Sequence, residues 1–281
     1  MIQYITWNVT PEIVDGWKTP NLYGLLFVTG LILGYFVAKK MFKRENMSDD
    51  SLDKLVMYMV IATIVGARLG HVLFYGPYWD AVDANGIMQH GYFSHPMDIF
   101  KVWEGGLASH GGVIAILIAL YIYSKRVVKK PFLWILDRIA APGAIGAAFI
   151  RFGNLVNSEI VGDPTNVPWA FSFPHYFNEV TMNYDATPRH PAQLYEALAY
   201  LLIFGIMLFL FYKKELYNIP GRIFGWFITL LFTARFLVEF VKLGQTARDA
   251  EFWLNTGQML SIPFILVGLY FAFRKPKLVA N

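Results

Sequence analysis

Cysteine is absent from the 281 residues, so the chain forms no disulfide and no thiolate metal site. Charge is scarce as well: Asp, Glu, Lys and Arg make up 16% of the chain against 56% hydrophobic residues. A soluble chain of this length would place charges on the solvent face of every helix. Here they fall mostly between long apolar blocks, which is a membrane composition. The excess of +4 is too small to point to nucleic acid, and none is expected as a partner. The opening MIQYITWNVTPEIVDGWK lacks a basic stretch followed by an apolar run and a small-residue cleavage site, so no cleaved signal peptide is expected. There is no internal repeat, no low-complexity stretch and no sign of a second domain, and 1–281 reads as one transmembrane domain.

A bilayer core of roughly 30 Å takes about 20 helical residues. Segments of that order occur at approximately 21–38, 54–75, 107–124, 132–150, 192–212, 221–241 and 257–273, which predicts an all-α integral membrane protein of about seven transmembrane helices. Asp137 and Arg138 make 132–150 less regular than the others, and Arg68 and His71 do the same for 54–75. The gaps after the first, third, fifth and seventh segments carry Lys39, Lys40, Lys43 and Arg44; Lys125, Arg126, Lys129 and Lys130; Lys213, Lys214 and Arg222; and Arg274, Lys275 and Lys277. All four gaps face one side, and the positive-inside rule makes that side the cytoplasm, with the N-terminus outside and the C-terminus inside. Three extended extracytoplasmic loops follow, approximately 76–106, 151–191 and 242–256. Loops of that length usually have a use.

Chemistry-bearing residues cluster in a few motifs. In EGGLASHGG, Glu104 to Gly112, His110 stands between glycine pairs at the start of the third segment. Its unperturbed pKa of roughly 6.5 suits proton transfer, although a helix-packing motif with an incidental histidine has the same pattern. IRFGNLVNSEIVGD, Ile150 to Asp163, compresses Arg151, Asn154, Asn157, Glu159 and Asp163 into one stretch. A guanidinium and amides so spaced suit an anionic headgroup, and a solvated helix end is the competing reading. In ARFLVEF, Arg235 and Glu239 stand i, i+4 inside an apolar segment, either as a functional pair or as a self-neutralising one. Arg68, in GARLG, has no acidic neighbour in its own helix and needs a partner or a ligand from elsewhere, for which Glu104 or Glu159 could serve. RHPAQLYEAL, Arg189 to Leu198, puts Gln193 and Glu196 a turn apart and reads as structural. Tyr23 and Tyr75 lie close to the outer ends of the first two segments, where aromatic-belt residues belong.

Together these blocks resemble the bacterial prolipoprotein diacylglyceryl transferase family over nearly the whole chain. Arg151-Phe-Gly-Asn154-Leu-Val-Asn157-Ser-Glu159, followed by Gly162, is similar to the family's signature, and Ser109-His110-Gly111-Gly112 is similar to its histidine-glycine-glycine block. N-L-Y-G around Tyr23, G-A-R-L-G around Arg68, R-H-P-A-Q-L-Y-E from Arg189 and R-F-L-V-E from Arg235 extend the likeness. The departures are Leu231, where similar enzymes can present a tyrosine, His71 in place of an aromatic, and Leu155 where phenylalanine is common.

The resemblance implies a single catalytic domain in the bacterial cytoplasmic membrane, with its active site toward the outer leaflet. It implies transfer of the diacylglyceryl group of phosphatidylglycerol to the lipobox cysteine thiol of a preprolipoprotein signal peptide, releasing glycerol phosphate. The expected catalytic set is His110, Arg151, Arg235 and Glu239, and the expected substrate-binding set is Tyr23, Arg68, Tyr75, Asn154, Asn157, Glu159 and Gly162. His110 would be the base for a thiol of pKa roughly 8.5. Arg151 and Arg235 would hold the phosphate, Asn154 the headgroup oxygens, and Glu239 would orient Arg235. The expected partners are phosphatidylglycerol, the signal peptide and membrane lipids. No cofactor is expected, and no metal, since histidines and carboxylates show no ligand spacing along the chain. A secondary transporter or channel would also carry intramembrane arginines and glutamates, but the chain shows no pair of matched halves. A scaffold whose charges only pair helices is the third reading.

Overall fold

The computed structural model describes residues 4–14, 16, 20–82, 86–102, 105–178, 181–244 and 253–275. Its α-helices are α1 Leu22–Arg44, α2 Asp49–Phe74, α3 Ser109–Arg126, α4 Phe132–Val156, α5 Ala192–Tyr212, α6 Arg222–Val238 and α7 Thr256–Phe273. Six of them are long and apolar enough to cross a membrane; α3, with His110, Lys125 and Arg126 within its 18 residues, is not among the six. Among the described residues the connections hold three two-residue strand pairs: β1 Ile5–Thr6 with β4 Phe171–Ser172, β2 Ala81–Val82 with β3 Met88–Gln89, and β5 Phe177–Asn178 with β6 Asn183–Tyr184. Large apolar side chains such as Leu31, Phe36, Met57, Ile61, Leu202 and Leu266 stand exposed along the helices, as a lipid-facing surface requires.

The chain divides into two compact units, one of residues 1–41 and 136–281, the other of residues 42–135. In the larger unit, a stripe of small residues on α4 (Ala140, Ala141, Ala144 and Ala148) packs with Tyr200, Ile203, Met207 and Phe211 of α5. Glycines bring α1 onto α4: a Cβ at Gly30 would press on Phe149, and one at Gly34 would lie 3.3 Å from the Pro142 carbonyl. The α6 and α7 helices cross equally closely at Gly225, Gly268 and Thr229. Asp137 and Arg138, the irregular feature of the fourth predicted segment, have a structural use. The buried Asp137 carboxylate accepts from the backbone N–H groups of Gly221 (2.7 Å) and Phe224 (2.8 Å), so it caps the start of α6 from another helix. Gly221, at φ +89°, supplies the left-handed turn there.

In the smaller unit α2 and α3 pack through glycine. A Cβ at Gly70 would lie 2.7 Å from Gly111 Cα, and one at Gly111 would lie 2.6 Å from Gly70 Cα. Ser48 caps α2, and the Tyr123 hydroxyl donates to the Ser51 carbonyl at 2.8 Å.

Helix ends differ from the apolar segments where polar residues matter most. The fourth segment is predicted to stop at 150, but α4 runs on to Val156, so Arg151 and Asn154 sit on its last turns. The sixth is predicted to reach 241, but α6 ends at Val238 and a 3-10 turn covers Glu239–Val241.

Candidate active site

In the larger unit, five ionised side chains form an alternating chain. Arg151 Nε lies 2.9 Å from Glu196 Oε2; Glu196 Oε1 lies 3.8 Å from Lys242 Nζ; Lys242 Nζ lies 3.3 Å from Glu239 Oε1; and Glu239 Oε1 lies 3.7 Å from Arg235 Nε. The three inner members are buried, with side-chain exposures of 1% for Glu196, 3% for Lys242 and 8% for Glu239. The two ends, Arg151 at 17% and Arg235 at 37%, are the accessible ones. Three cations against two anions leave this chain with a guanidinium at each end. Several of its contacts are coulombic rather than directed: among the described residues, the Glu196 oxygens and Arg235 Nε have no aligned hydrogen-bond partner despite the ion-pair distances. Guanidiniums held this way keep donors for a bidentate anion such as a phosphate.

Asparagines and Glu159 extend the network. Arg151 Nη1 donates to Asn154 Oδ1 at 3.1 Å, and the side-chain amides of Asn154 and Asn157 donate to Glu159 Oε1 at 2.8 and 3.2 Å. The signature stretch therefore acts as one hydrogen-bonded unit. Its backbone turns sharply after α4, with Ser158 at φ +54° and Ile160 at φ +58°. A β-branched residue in the left-handed region costs about 1–3 kcal/mol, and such strain gathers at functional sites. Gln193 holds the turn, its amide donating to the Glu159 carbonyl at 2.7 Å. A cavity of about 510 Å³ opens beside it, lined among others by Asn157, Glu159, His175, Tyr176 and Leu243.

Gly162 explains how Lys242 reaches the buried carboxylates. The Gly162 N–H donates to the His190 carbonyl (3.0 Å), Asp163 N–H donates to the Val241 carbonyl (2.9 Å), and Gly162 bridges to Lys242 as a short antiparallel contact. A Cβ at Gly162 would lie 2.5 Å from the Val241 oxygen and 2.6 Å from the His190 oxygen, so only glycine lets the 241–243 backbone in. Burial raises the carboxyl pKa of the adjacent Asp163, and the charges of Arg189 and His190 oppose that rise. Glu239 is also fixed from α7, where the Asn255 amide donates to its backbone carbonyl (3.0 Å) and its Oε2 (3.2 Å). Tyr23 lies with its ring against Gly153, where a Cβ would come within 2.6 Å of the ring.

The structure thus brings together Tyr23, Arg151, Asn154, Asn157, Glu159, Gly162, Arg235 and Glu239 within one unit. Glu196 and Lys242 join them without having been expected there. Their signals were present but local: Glu196 is an acid inside an apolar helix, and Lys242 a cation three residues after an acid.

His110, Arg68 and Tyr75 belong to the smaller unit. His110 is exposed on the first turn of α3, while its neighbour Gly111 makes the helix contact, so packing accounts for the glycines and leaves the imidazole free of them. Arg68 is buried, and among the described residues its partners are backbone carbonyls, not Glu159. It donates to Ile99 (2.8 Å), Gly105 (2.7 Å), Gly106 (3.2 Å) and Asp98, and its guanidinium lies over the Tyr92 ring. Glu104, one of the two acids considered for it, lies outside the described residues. Arg68 thereby clamps the connection that leads into His110. Tyr75 is exposed at the end of α2, its ring stacked on His71 at 6.2 Å.

Comparison with known proteins identifies the family. The prolipoprotein diacylglyceryl transferase family model matches residues 16–274. A phosphatidylglycerol–prolipoprotein diacylglyceryl transferase of Porphyromonas gingivalis is 43% identical, over 98% of this chain and 95% of its own length. Proteins of the same name from Chloroherpeton thalassium and Tolumonas auensis are 40% and 41% identical, over 98% and 94% of this chain and 95% and 94% of their own lengths. The chain therefore belongs to the prolipoprotein diacylglyceryl transferase family.

Proposed function

We propose that this protein transfers the diacylglyceryl group of phosphatidylglycerol to the lipobox cysteine thiol of preprolipoproteins, the activity its relatives' name describes. The observation that carries the reading onto this chain is the alternating charge chain with guanidiniums at both ends, set beside the amides of Asn154 and Asn157. In the reaction the cysteine sulfur forms a bond to the sn-3 carbon of the diacylglyceryl group. The carbon–oxygen bond to the phosphate breaks, and glycerol phosphate leaves with that electron pair. The thiol proton passes to a base, for which we assign His110.

Arg151 and Arg235 hold the phosphate, and their charge stabilises the negative charge gathering on the departing glycerol phosphate. Glu196, Lys242 and Glu239 keep the two guanidiniums from collapsing onto each other's carboxylates or turning away, which is a positioning role. Asn154, Asn157 and Glu159 face headgroup hydroxyls, and Tyr23 packs beside them. Arg68 enters as the anchor of the loop ahead of His110, since four of its five N–H groups already donate to backbone carbonyls.

We further read α3 as a seventh span and place the N-terminus outside. The Lys and Arg clusters after α1, α3, α5 and α7 support this orientation. It puts His110 and Arg151 toward the outer leaflet of the cytoplasmic membrane.

The test is to incubate the purified protein with phosphatidylglycerol and a lipobox peptide. Release of glycerol phosphate with a matching mass increase on the peptide supports the assignment, and neither appearing refutes it. Ion or solute flux in proteoliposomes without lipid consumption would instead favour a transporter.

A further inference from the structure

Along the chain Asp80, His90 and His95 show no ligand spacing, but the α2–α3 connection folds them onto one another. Asp80 immediately precedes β2 and His90 immediately follows β3, and because Ala81 pairs with Gln89 the two residues meet at the open end of that ladder. Backbone bonds hold the following turn: Tyr92 N–H to the Pro77 carbonyl (2.9 Å), Phe93 N–H to the Tyr78 carbonyl (2.9 Å) and His95 N–H to the Gly91 carbonyl (2.8 Å). A Cβ at Gly91 would run into the Trp79 backbone, so the close approach depends on glycine. The Gly91 N–H donates to Asp80 Oδ1 at 2.8 Å, which turns Oδ2 toward His95.

The contacts that result are a His95–Asp80 hydrogen bond and a looser His90–Asp80 approach, at distances near those between ligands of one ion. Asp80 Oδ2 and His95 Nε2 lie 3.2 Å apart, and Asp80 Oδ1 and His90 Nδ1 lie 4.0 Å apart. The two imidazoles meet edge to face, 4.5 Å between centroids. One ligand atom from each residue lies within 4.8 Å of the others. With zinc–nitrogen and zinc–oxygen bonds of about 2.0–2.2 Å, the edge of a tetrahedral site is about 3.3 Å. The Asp80–His95 distance already matches that edge, and rotation of the exposed His90 side chain closes the remainder. Exposure of all three residues leaves an entry path and a fourth position for water. Two imidazoles with one carboxylate favour a zinc-class ion over magnesium or calcium, which take oxygen ligands.

We propose that Asp80, His90 and His95 bind a divalent transition-metal ion of the zinc class. An ion there fastens the β2–β3 hairpin to the turn that follows His95, whose Asp98 and Ile99 carbonyls Arg68 holds. The connection that leads into His110 is then tied at two points. This inference does not depend on the transfer reaction.

The experiment uses the full-length, untagged protein in detergent, stripped with a chelator and titrated with Co²⁺. Visible absorption reports tetrahedral ligation. We expect saturation at one equivalent, displacement of the colour by Zn²⁺, and at least tenfold weaker binding in Asp80→Asn, His90→Gln and His95→Gln. His175→Gln, elsewhere in the chain, should bind as the parent does. Thermal melts without metal confirm that each variant is folded, and if one is not, the other two decide. Absence of saturable one-equivalent binding, or equal affinity in all the folded variants, overturns the proposal.

Discussion

Arg151 Nε lies 2.9 Å from Oε2 of Glu196, a carboxylate whose side chain is only 1% exposed. A buried acid in contact with a partly exposed guanidinium fixes the guanidinium's position without fully shielding it from a ligand. The same acid lies 3.8 Å from the buried Lys242, so one carboxylate sets two cations. Replacing it with its neutral isostere, Glu196→Gln, leaves Arg151 without its carboxylate and Lys242 with Glu239 alone. Removing one member of a buried pair typically costs about 3–5 kcal/mol. We expect a lowered melting temperature and about a hundredfold loss of transfer, the size of effect seen when a positioned transition-state donor is lost. Glu196→Asp should recover part of the activity.

The two terminal guanidiniums are predicted to act directly on substrate. Arg151→Ala and Arg235→Ala should each abolish measurable transfer while the protein still inserts in the membrane, checked by fractionation and by a thiol-dependent peptide mass assay. Arg235→Lys keeps the charge but loses the planar fork. Full activity in that variant would count against bidentate phosphate recognition.

Lys242 and Glu239 should show strong coupling. Lys242→Met alone leaves Glu196 and Glu239 facing one another's charge, and Glu239→Gln alone leaves Lys242 with Glu196 only. The double substitution should be less destabilising than the sum of the two, with an interaction energy of about 0.5–3 kcal/mol in a double-mutant cycle of thermal or denaturant unfolding. Additivity would show that the 3.3 Å contact carries no energy.

Gly162→Ala tests the close approach. Its Cβ would come within 2.5 Å of the Val241 carbonyl oxygen, and the backbone carrying Lys242 must move to admit it. Overpacking of this kind costs about 1–3 kcal/mol. Transfer activity should fall further than stability does, because Lys242 is displaced from both carboxylates.

An acid limb in stability is expected from Asp185. Hydrogen bonds from Thr187 and the ion pair with Arg189 hold its carboxyl well below the ordinary aspartate value. A depressed folded-state pKa contributes stability that is fully present above the unfolded value of about 3.9 and is lost as pH falls below it. Asp185→Asn should therefore lose stability at neutral pH and show a flatter melting profile between neutral and acid pH than the parent.

The helices were readable in the sequence because each span is a long apolar block, and α5 at 192–212 coincides with its predicted segment. Polar ends were harder. Arg151 looks like the first residue of a loop because an apolar count stops at it, whereas backbone bonds that close the last turn of α4 (Asn157 N–H to the Gly153 carbonyl, 3.0 Å) and the partner on α5 accompany a helix that runs to Val156. Glu196 reads as structural beside Gln193, and Lys242 as the first residue of an outer loop. What brings them into the candidate site is the Gly162–Lys242 bridge, a long-range backbone contact that no local pattern encodes and that sets Lys242 beside Glu196. Arg68 shows the converse, a charge whose described partners are carbonyls, which sequence cannot single out. The Asp80, His90 and His95 cluster likewise exists only once β2 pairs with β3.

The most direct measurement is a side-by-side reaction of the parent protein and Arg151→Ala with phosphatidylglycerol and a lipobox peptide, at matched membrane-inserted amounts. We expect the parent to release glycerol phosphate and add one diacylglyceryl mass to the peptide, only when the cysteine is free, and Arg151→Ala to do neither. Equal product from both proteins would contradict the role of the charge chain, and product from neither would contradict the transferase itself.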